Sequence, residues 1–580
     1  MLPTRRTSGR QWRDVAVLAW PLVWAVALVL PLLLRPGHLL ARDLVFVPVQ
    51  PFTEATWGLG DVAPRAVPLD SVVATLTHVV DGAVLARIVL PLLLVLIGWG
   101  VVRLLAPLGR TAQLAGSGFA VWNAYVVERL ALGQWALLLA CAALPWLVPA
   151  AMRYRLHGRA GDLGAAVAWS ALASVTPTGG LLALAGLTAA SAPHRRRLSV
   201  LVLSGLVLQA PWLAAALTGP GSTVSDGSGV SVFTPDTESS HGPLLALLGL
   251  GGIWDAGSEP ASRTTWLAVA AAAVVVVAMA TGVVGLRSAW GSSDTVRWVV
   301  LAAVPAAAAF AAATPWGEHT LVVLVETVPG AGLLRDTQKL LAPAVVLVAA
   351  AFGAAVARAA RAVSSSEVRP LATLVLVMTP MLVLPDATAS TWKTVSPVEF
   401  PDDLTRVAQR LSGEDGVVVT LPWRTYRAFD WTRPGQTASD PATRMFDAEV
   451  VTSDSLQVGA VLVPGESARA AEIGHALERG TPAEVLPALG VSWVVVYPDD
   501  REAAQLDLDG LEPVVHGPYA ELYRVPGPEP RADGGGGLRT IVVKGAHLLA
   551  LLVALAAVVA RARCGPRSRD RGAEPQDDVT

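Results

Sequence analysis

The chain has 580 residues, 53% hydrophobic and 16% charged, with a net charge of -2 and a mean hydropathy of +0.51. Soluble domains carry about 25% charge; charge is depleted here because long segments hold almost none, the mark of a polytopic membrane protein. The near-neutral balance excludes a basic field for nucleic acid, and the two cysteines, Cys141 in an apolar run and Cys564 in a basic tail, make neither a disulfide framework nor a metal site.

The N-terminus is basic, with Arg5, Arg6, Arg10 and Arg13, and basic flanks stay in the cytoplasm. Residues 15–34 are long enough to cross a bilayer. They lack a small-x-small cleavage site, so they read as an anchor rather than a signal peptide. A long first external loop follows, residues 35–80, containing Asp43, Glu54, Asp61, Asp70 and His78. Residues 44–52 are apolar and proline-bearing and predict a loop lying on the bilayer surface.

Further crossings are predicted at 84–106, 111–127 and 135–150. Residues 163–191 are apolar but broken by Thr176, Pro177, Thr178, Gly179 and Gly180. Two short spans in a hairpin keep His194, Arg195, Arg196 and Arg197 inside, as the charge rule wants. A seventh span, 198–217, exits into a loop at 218–243. That loop holds Asp226, Asp236, Glu238 and His241 and no arginine or lysine. Residues 244–254 are too short to cross and read as interfacial or re-entrant. Spans at 265–286 and 298–315 bracket an internal loop with Arg287 and Arg297, and an external segment at 315–339 leads to spans at 340–357 and 371–385.

Residues 386–535 change character. Charge rises, β-like runs occur at 416–421 and 491–497, and 467–479 reads as a helix between them, which together predict a small external α/β domain. Gly534 to Gly537 is a flexible linker. A last span, 540–560, ends in Arg561, Arg563, Arg567, Arg569 and Arg571. The predicted fold class is mostly α. It has a polytopic helical domain of about twelve spans (1–385), an external α/β domain (386–535), and a last span with a basic cytoplasmic tail (536–580). Both termini are inside and the bilayer is the plasma membrane.

Three polar clusters flank the external span ends. Asp43 sits where a carboxylate avoids the cost of roughly 2.5–3.5 kcal/mol for a charge at the bilayer centre. It is either a general base for a sugar hydroxyl or simply solvated at the interface. Asn123, Tyr125, Glu128 and Arg129 mix amide, phenol, carboxylate and guanidinium beside a short apolar helix. At helical spacing Trp122, Tyr125 and Arg129 share a face; an aromatic belt with a local charge pair is the alternative. Arg335, Asp336, Gln338 and Lys339 precede a span. The two cations there suit a lipid phosphate, with snorkelling and helix capping by Asp336 as the alternative. No Walker A loop, zinc spacing or nucleophile elbow is present.

The layout of a long first external loop, an acid just after the first span, many further spans and an external α/β domain resembles the GT-C superfamily of integral membrane glycosyltransferases. The run Trp122-Asn123-Ala124-Tyr125-Val126-Val127-Glu128-Arg129-Leu130-Ala131-Leu132-Gly133-Gln134-Trp135 is similar to an N-P-Y-V-x-E-R-L-x-x-G-x-W stretch of actinobacterial arabinofuranosyltransferase-like proteins, with alanine for proline at 124. The stretch from Leu333 to Lys339 and the run from Leu489 to Val496 resemble recurring external elements of such proteins. The resemblance implies that Asp43 is the catalytic base. It further implies a polyprenyl-phosphate sugar donor, and the reading built on it is an envelope glycosyltransferase with a glycan acceptor, in which Arg335 and Lys339 hold the phosphate and Tyr125, Glu128 and Arg129 orient the donor or the Asp43 loop. Many members carry paired acids in the first loop; here Arg42 precedes Asp43, which leaves a divalent metal open and no metal ligand assigned. Trp423, Tyr426, Trp431 and Trp493 are candidates for glycan contact, with ordinary core packing as the alternative. An envelope lipid or glycan transporter, with the 176–180 break as its binding site, and a non-catalytic assembly scaffold are the alternatives.

Overall fold

The computed structural model describes residues 6–219, 225–235, 241–459, 461–529 and 537–564, with side chains from Val15 onward. Arg5, Asp236, Glu238, Gly534, Arg567, Arg569 and Arg571 lie outside the described residues. The long alanine- and leucine-rich runs form helices, so the chain is mostly helical. Among the described residues, seven helices are long and apolar enough to cross a membrane: Val15–Leu34, Gly82–Leu104, Arg195–Thr218, Trp266–Trp290, Ser292–Ala312, Thr337–Ala362 and Gly537–Arg563. The other five predicted crossings form shorter or less uniformly apolar helices. These are Arg110–Val121, Leu138–His157, Ala160–Ala173, Pro177–Ser191 and Val368–Val377.

The span predicted at 111–127 is two helices, Arg110–Val121 and Ala124–Ala131. Asn123 is extended and accepts from Val126 N at 3.1 Å, so it caps the second helix and breaks the first. Residues 315–339 include a further helix, Pro315–Thr327.

The Thr337–Ala362 segment is central, with 83% of its apolar window buried. Its small residues make that placement sterically feasible. A Cβ on Gly353 would lie 2.4 Å from the Ala112 carbonyl oxygen, and one on Gly282 would lie 1.9 Å from that of Ala351. Helices in an apolar solvent gain from such backbone approach because packing, not water exclusion, joins them. Gly537–Arg563, by contrast, buries only 11% of its window, against Ala160–Ala173 and Arg195–Thr218.

Residues after 400 build a five-stranded sheet. Strand β3 (Val417–Leu421) runs parallel to both β6 (Glu449–Val451) and β9 (Val491–Val496). Strand β11 (Glu521–Arg524) joins β9 antiparallel and carries β10 (Glu512–Val515) at the edge. Side chains alternate across a strand. Val418, Val495 and Leu522 therefore meet Leu404, Val407 and Leu411 of the Asp402–Leu411 helix on one face. Val419, Leu421, Val494 and Val496 meet Ile473 of the Ala468–Leu477 helix on the other. Two short pairs lie beside the sheet, β4 (Tyr426–Arg427) with β5 (Ala438–Ser439) and β7 (Leu456–Val458) with β8 (Val461–Val463).

The start of the predicted surface loop is placed differently from the prediction, whereas Val49 and Phe52 further along it are exposed. Residues 44–47 do not lie on a lipid surface: they are buried inside the protein. The hairpin of β1 (Leu40–Ala41) and β2 (Leu44–Val45) leads into a run whose period-two pattern serves two cores. Leu44 and Phe46 pack into the helical bundle, while Leu40, Val45 and Val47 complete one face of the sheet core. Backbone bonds stitch it in place: His38 and Val398 exchange two at 2.8 Å, Arg42 N donates to Thr437 O at 2.7 Å, and Ser439 N donates to Arg42 O at 2.9 Å. The Ala387–Thr394 helix is bolted to the bundle as well. Thr391, Trp392 and Thr394 donate to the carbonyls of Leu28, Ala27 and Ala131 at 2.6–2.9 Å.

Candidate active site

Asp43 follows Arg42, whose φ of +51° turns the chain between β1 and β2. The turn sends the two side chains apart. Arg42 pairs with Asp255 at 2.8 Å, which also accepts from Ser258 Oγ at 2.6 Å. The residue standing where a second acid was sought is thus an anchor. Asp43 faces a cavity of about 410 Å³ lined also by Gln134, Arg335, Asp336, Lys339 and Tyr426, a size that suits a small ligand. One carboxylate oxygen accepts from the Tyr426 hydroxyl and the other from Gln134 Nε2 at 3.3 Å. Burial and the adjacent Asp43 charge push the Tyr426 hydroxyl well above its ordinary pKa, so it remains a donor.

Close packing sets the position of this loop. Gly133 has φ +87°, and a Cβ there would lie 2.5 Å from Leu44 N and 3.0 Å from Asp43 N. Gly133→Ala is expected to shift the Asp43 turn and to cost about 1–3 kcal/mol through strain and overpacking. A thermal melt beside an activity assay checks this, and an unshifted melting temperature would show that the turn has room to spare.

Behind the cavity wall lies a buried polar brace. Arg129, fully buried, makes a bidentate pair with Asp336 at 2.5 and 2.7 Å and also donates to Gln134 Oε1 at 2.5 Å. Gln134 therefore links Arg129 to Asp43. Glu128 accepts from Gln338 Nε2 at 2.8 Å, and the Tyr125 hydroxyl donates to Lys339 O at 2.9 Å. Lys339 Nζ lies 3.7 Å from Asp336. The Asp336 carboxylate pairs with Arg129 and also draws on the ammonium and backbone N–H of Lys339, while Glu128, which adds its charge to that felt by Arg129, accepts from Gln338 across the fold. Trp122 leaves the face shared by Tyr125 and Arg129 and donates to Leu384 O at 2.8 Å.

Of the residues singled out in the sequence, Asp43, Arg335, Asp336 and Lys339 line the cavity. Asn123, Tyr125, Glu128, Arg129 and Gln338 do not line it; they hold its wall. Of the four aromatics, Tyr426 lines the cavity, while Trp493 is buried in the sheet core with Arg410 and Arg524 over its ring. Sequence reasoning named Asp70 only among the first-loop acids and passed over Arg65, Arg444 and Glu466. Arg65 carried a signal, as an arginine in the loop for which the sequence predicts an external position, where the charge rule expects few.

A second cavity, of about 400 Å³, adjoins the first and is largely apolar, with Leu181, Trp212, Leu217, Leu324 and Val328 in its wall. Arg65, Pro177, Gly332 and Leu333 line both. At the junction, Glu466 Oε1 accepts from Arg65 at 2.5 Å, Ser225 Oγ at 2.6 Å and Arg335 at 3.1 Å. Burial alone would raise the Glu466 carboxyl; Arg65, Ser225 and Arg335 outweigh it and hold the group below its ordinary value. Burial, and then Arg65, lower the Arg335 guanidinium.

Among the described residues, no three of His, Cys, Asp and Glu cluster as metal ligands. Hard divalent cations take several oxygen ligands, and two of the lining carboxylates are committed to arginines, Asp336 to Arg129 and Asp70 to Arg444. The donors around Asp43 do not fit such an ion.

No protein-family model matches the chain, and no curated protein matches it. Among solved structures, it is similar to the cryo-EM structure of the arabinofuranosyltransferase AftD from Mycobacteria. The TM-score is 0.55 and the identity 17%, over 91% of this chain and 40% of that one. A mutant of the same enzyme gives a TM-score of 0.51 and 16% identity, over 91% of this chain and 42% of that one. This chain thus spans about 40% of the length of the protein it resembles. The shared feature at this identity is the fold, one that this chain has in common with the solved structure of that arabinofuranosyltransferase.

Proposed function

We propose that a chain with the fold of an arabinofuranosyltransferase is itself a membrane glycosyltransferase of cell-envelope biogenesis, using a polyprenyl-phosphate sugar on the external face. The carrying observation is Asp43. It is a cavity carboxylate that bonds to neutral groups, Tyr426 and Gln134, rather than to a cation, at the head of a polar pocket that adjoins an apolar one.

In this reading the lipid tail lies in the apolar cavity and the sugar reaches toward Asp43. Arg335 and Lys339 take the phosphate, as charge-assisted donors do. Asp43 accepts the proton of an acceptor hydroxyl as that oxygen bonds to the anomeric carbon. The bond from that carbon to the phosphate oxygen breaks, and its electron pair leaves with the lipid phosphate. Arg129, Asp336 and Gln134 act as positioning residues, because they hold the wall and one partner of Asp43. The α/β residues from 386 to 535 then lie outside the membrane beside the acceptor.

The test offers purified protein in lipid a panel of radiolabelled polyprenyl-phosphate sugars and an envelope glycan extract. Label should move to glycan; no transfer from any donor by folded protein would defeat the proposal. A transporter is the second reading, favoured by one observation: the helix break at Thr176, Pro177 and Thr178 lines the cavity. Lipid or glycan movement without a new glycosidic bond would support it.

A further inference from the structure

We infer that Arg65, Arg335 and Ser225 form a phosphate site for an amphiphile, and that Glu466 occupies this site in the free protein as an internal competitor. The inference rests on the reading of the two cavities as one amphiphile's pocket, and it adds a ligand-operated clasp to that reading.

The first support is convergence. Three donors meet one oxygen of Glu466, and they come from chain positions 401, 241 and 131 residues away. Such a focus is what an oxyanion requires, and a carboxylate oxygen fills it only partly. A phosphate offers more oxygens and can engage two guanidiniums at once. Side-chain exposure fits exchange: Arg335 is 6% exposed and Glu466 12%, whereas Arg65 is 53% exposed and open to an arriving ligand.

The second support is place. Arg65 lines both cavities, Ser225 and Glu466 line the apolar one, and Arg335 lines the polar one. A molecule with an apolar tail in one cavity and a polar end at Asp43 must put its linking group at this border. A lipid phosphate supplies an anion at that point.

The third support is how Glu466 is presented. Its backbone N–H and that of Ser467 both donate to one Asp454 oxygen at 2.7 Å. The carboxylate is therefore offered from a fixed corner between β8 and the Ala468–Leu477 helix. When phosphate displaces it, the ion pairs from this corner to Arg65 and Arg335 open. Occupancy of the site is in this way coupled to the grip of the sheet-bearing unit on the first loop.

Simple structural glue predicts something different, namely that weakening the clasp costs stability and gains nothing in affinity. The test uses the full chain in phosphatidylcholine nanodiscs, with undecaprenyl phosphate, uncharged undecaprenol and inorganic phosphate as probes. Glu466→Gln removes the competing charge and should bind undecaprenyl phosphate roughly tenfold tighter, since one charge-assisted contact is worth about that factor, with no change for undecaprenol. Arg65→Ala should bind it roughly tenfold more weakly. Competition by millimolar inorganic phosphate would assign the site to the phosphate group alone; its absence would assign it to the lipid-borne head. An unchanged or weaker affinity in Glu466→Gln overturns the inference. Should that variant fail to fold, Arg65→Ala decides, because its side chain is half exposed: an undiminished preference for undecaprenyl phosphate over undecaprenol overturns it equally. Binding needs no turnover, so a protein that shows the tightening but transfers no sugar keeps the clasp and loses the glycosyltransferase reading.

Discussion

Asp43→Asn is expected to lower sugar transfer by a factor of about 100 to 10,000, the usual contribution of a general base, with little change in the melting temperature. The geometry makes this a clean substitution. Asparagine keeps the size of the side chain, and its amide can turn its oxygen to Gln134 Nε2 and its NH2 to the Tyr426 hydroxyl, which accepts as well as donates. Both contacts of the native carboxylate then have replacements, and the turn at Arg42 has no reason to move. What is lost is the capacity to take a proton. Initial rates at saturating donor, beside a melt of the same preparation, separate these effects. Full activity in the variant would remove Asp43 from the chemistry.

A different kind of damage is expected at the brace. Asp336→Ala strands the Arg129 charge, which is completely buried, and removing one partner of such a pair costs about 3–5 kcal/mol. Gln134 would remain as a neutral acceptor at 2.5 Å, too little to compensate a cation. The double variant Arg129→Met, Asp336→Leu should recover most of that loss, because two buried charges and their desolvation disappear together. Equilibrium unfolding in mixed lipid–detergent micelles compares the three proteins. A single variant as stable as the native chain would mean that water reaches Arg129.

The double variant should also lose activity even where it regains stability. Gln134 is fixed by Arg129 on one side and holds Asp43 on the other. Freed from Arg129, it no longer places the carboxylate.

The sequence made some of this legible and hid the rest for physical reasons. Charge is scarce in the chain, so Asp43, Arg335 and Lys339 stood out at span ends, and all three line the cavity. The apolar runs near 417 and 491 read as strands, and they are neighbours, β3 and β9, in one parallel pair. The fate of residues 44–47 was not legible. A short apolar run satisfies itself equally in lipid or in a protein core, and nothing local tells the two apart. The break at Asn123 had a signal that was missed: an asparagine three residues before the N–H it caps. Glu466 gave none. It is an ordinary carboxylate between a glycine and a serine, and its meaning comes from arginines 401 and 131 residues away.

That distance along the chain bears on biosynthesis. Asp43 and its Tyr426 partner are 383 residues apart, which at ribosomal rates is a delay of roughly 20–80 s. Until then the carboxylate has no phenol, and the hairpin that carries it lacks the sheet against which Leu40, Val45 and Val47 close. A half-made polypeptide already lodged in the bilayer thus lacks the partners of the Asp43 turn, which come together only when the later-made strands dock on the first loop.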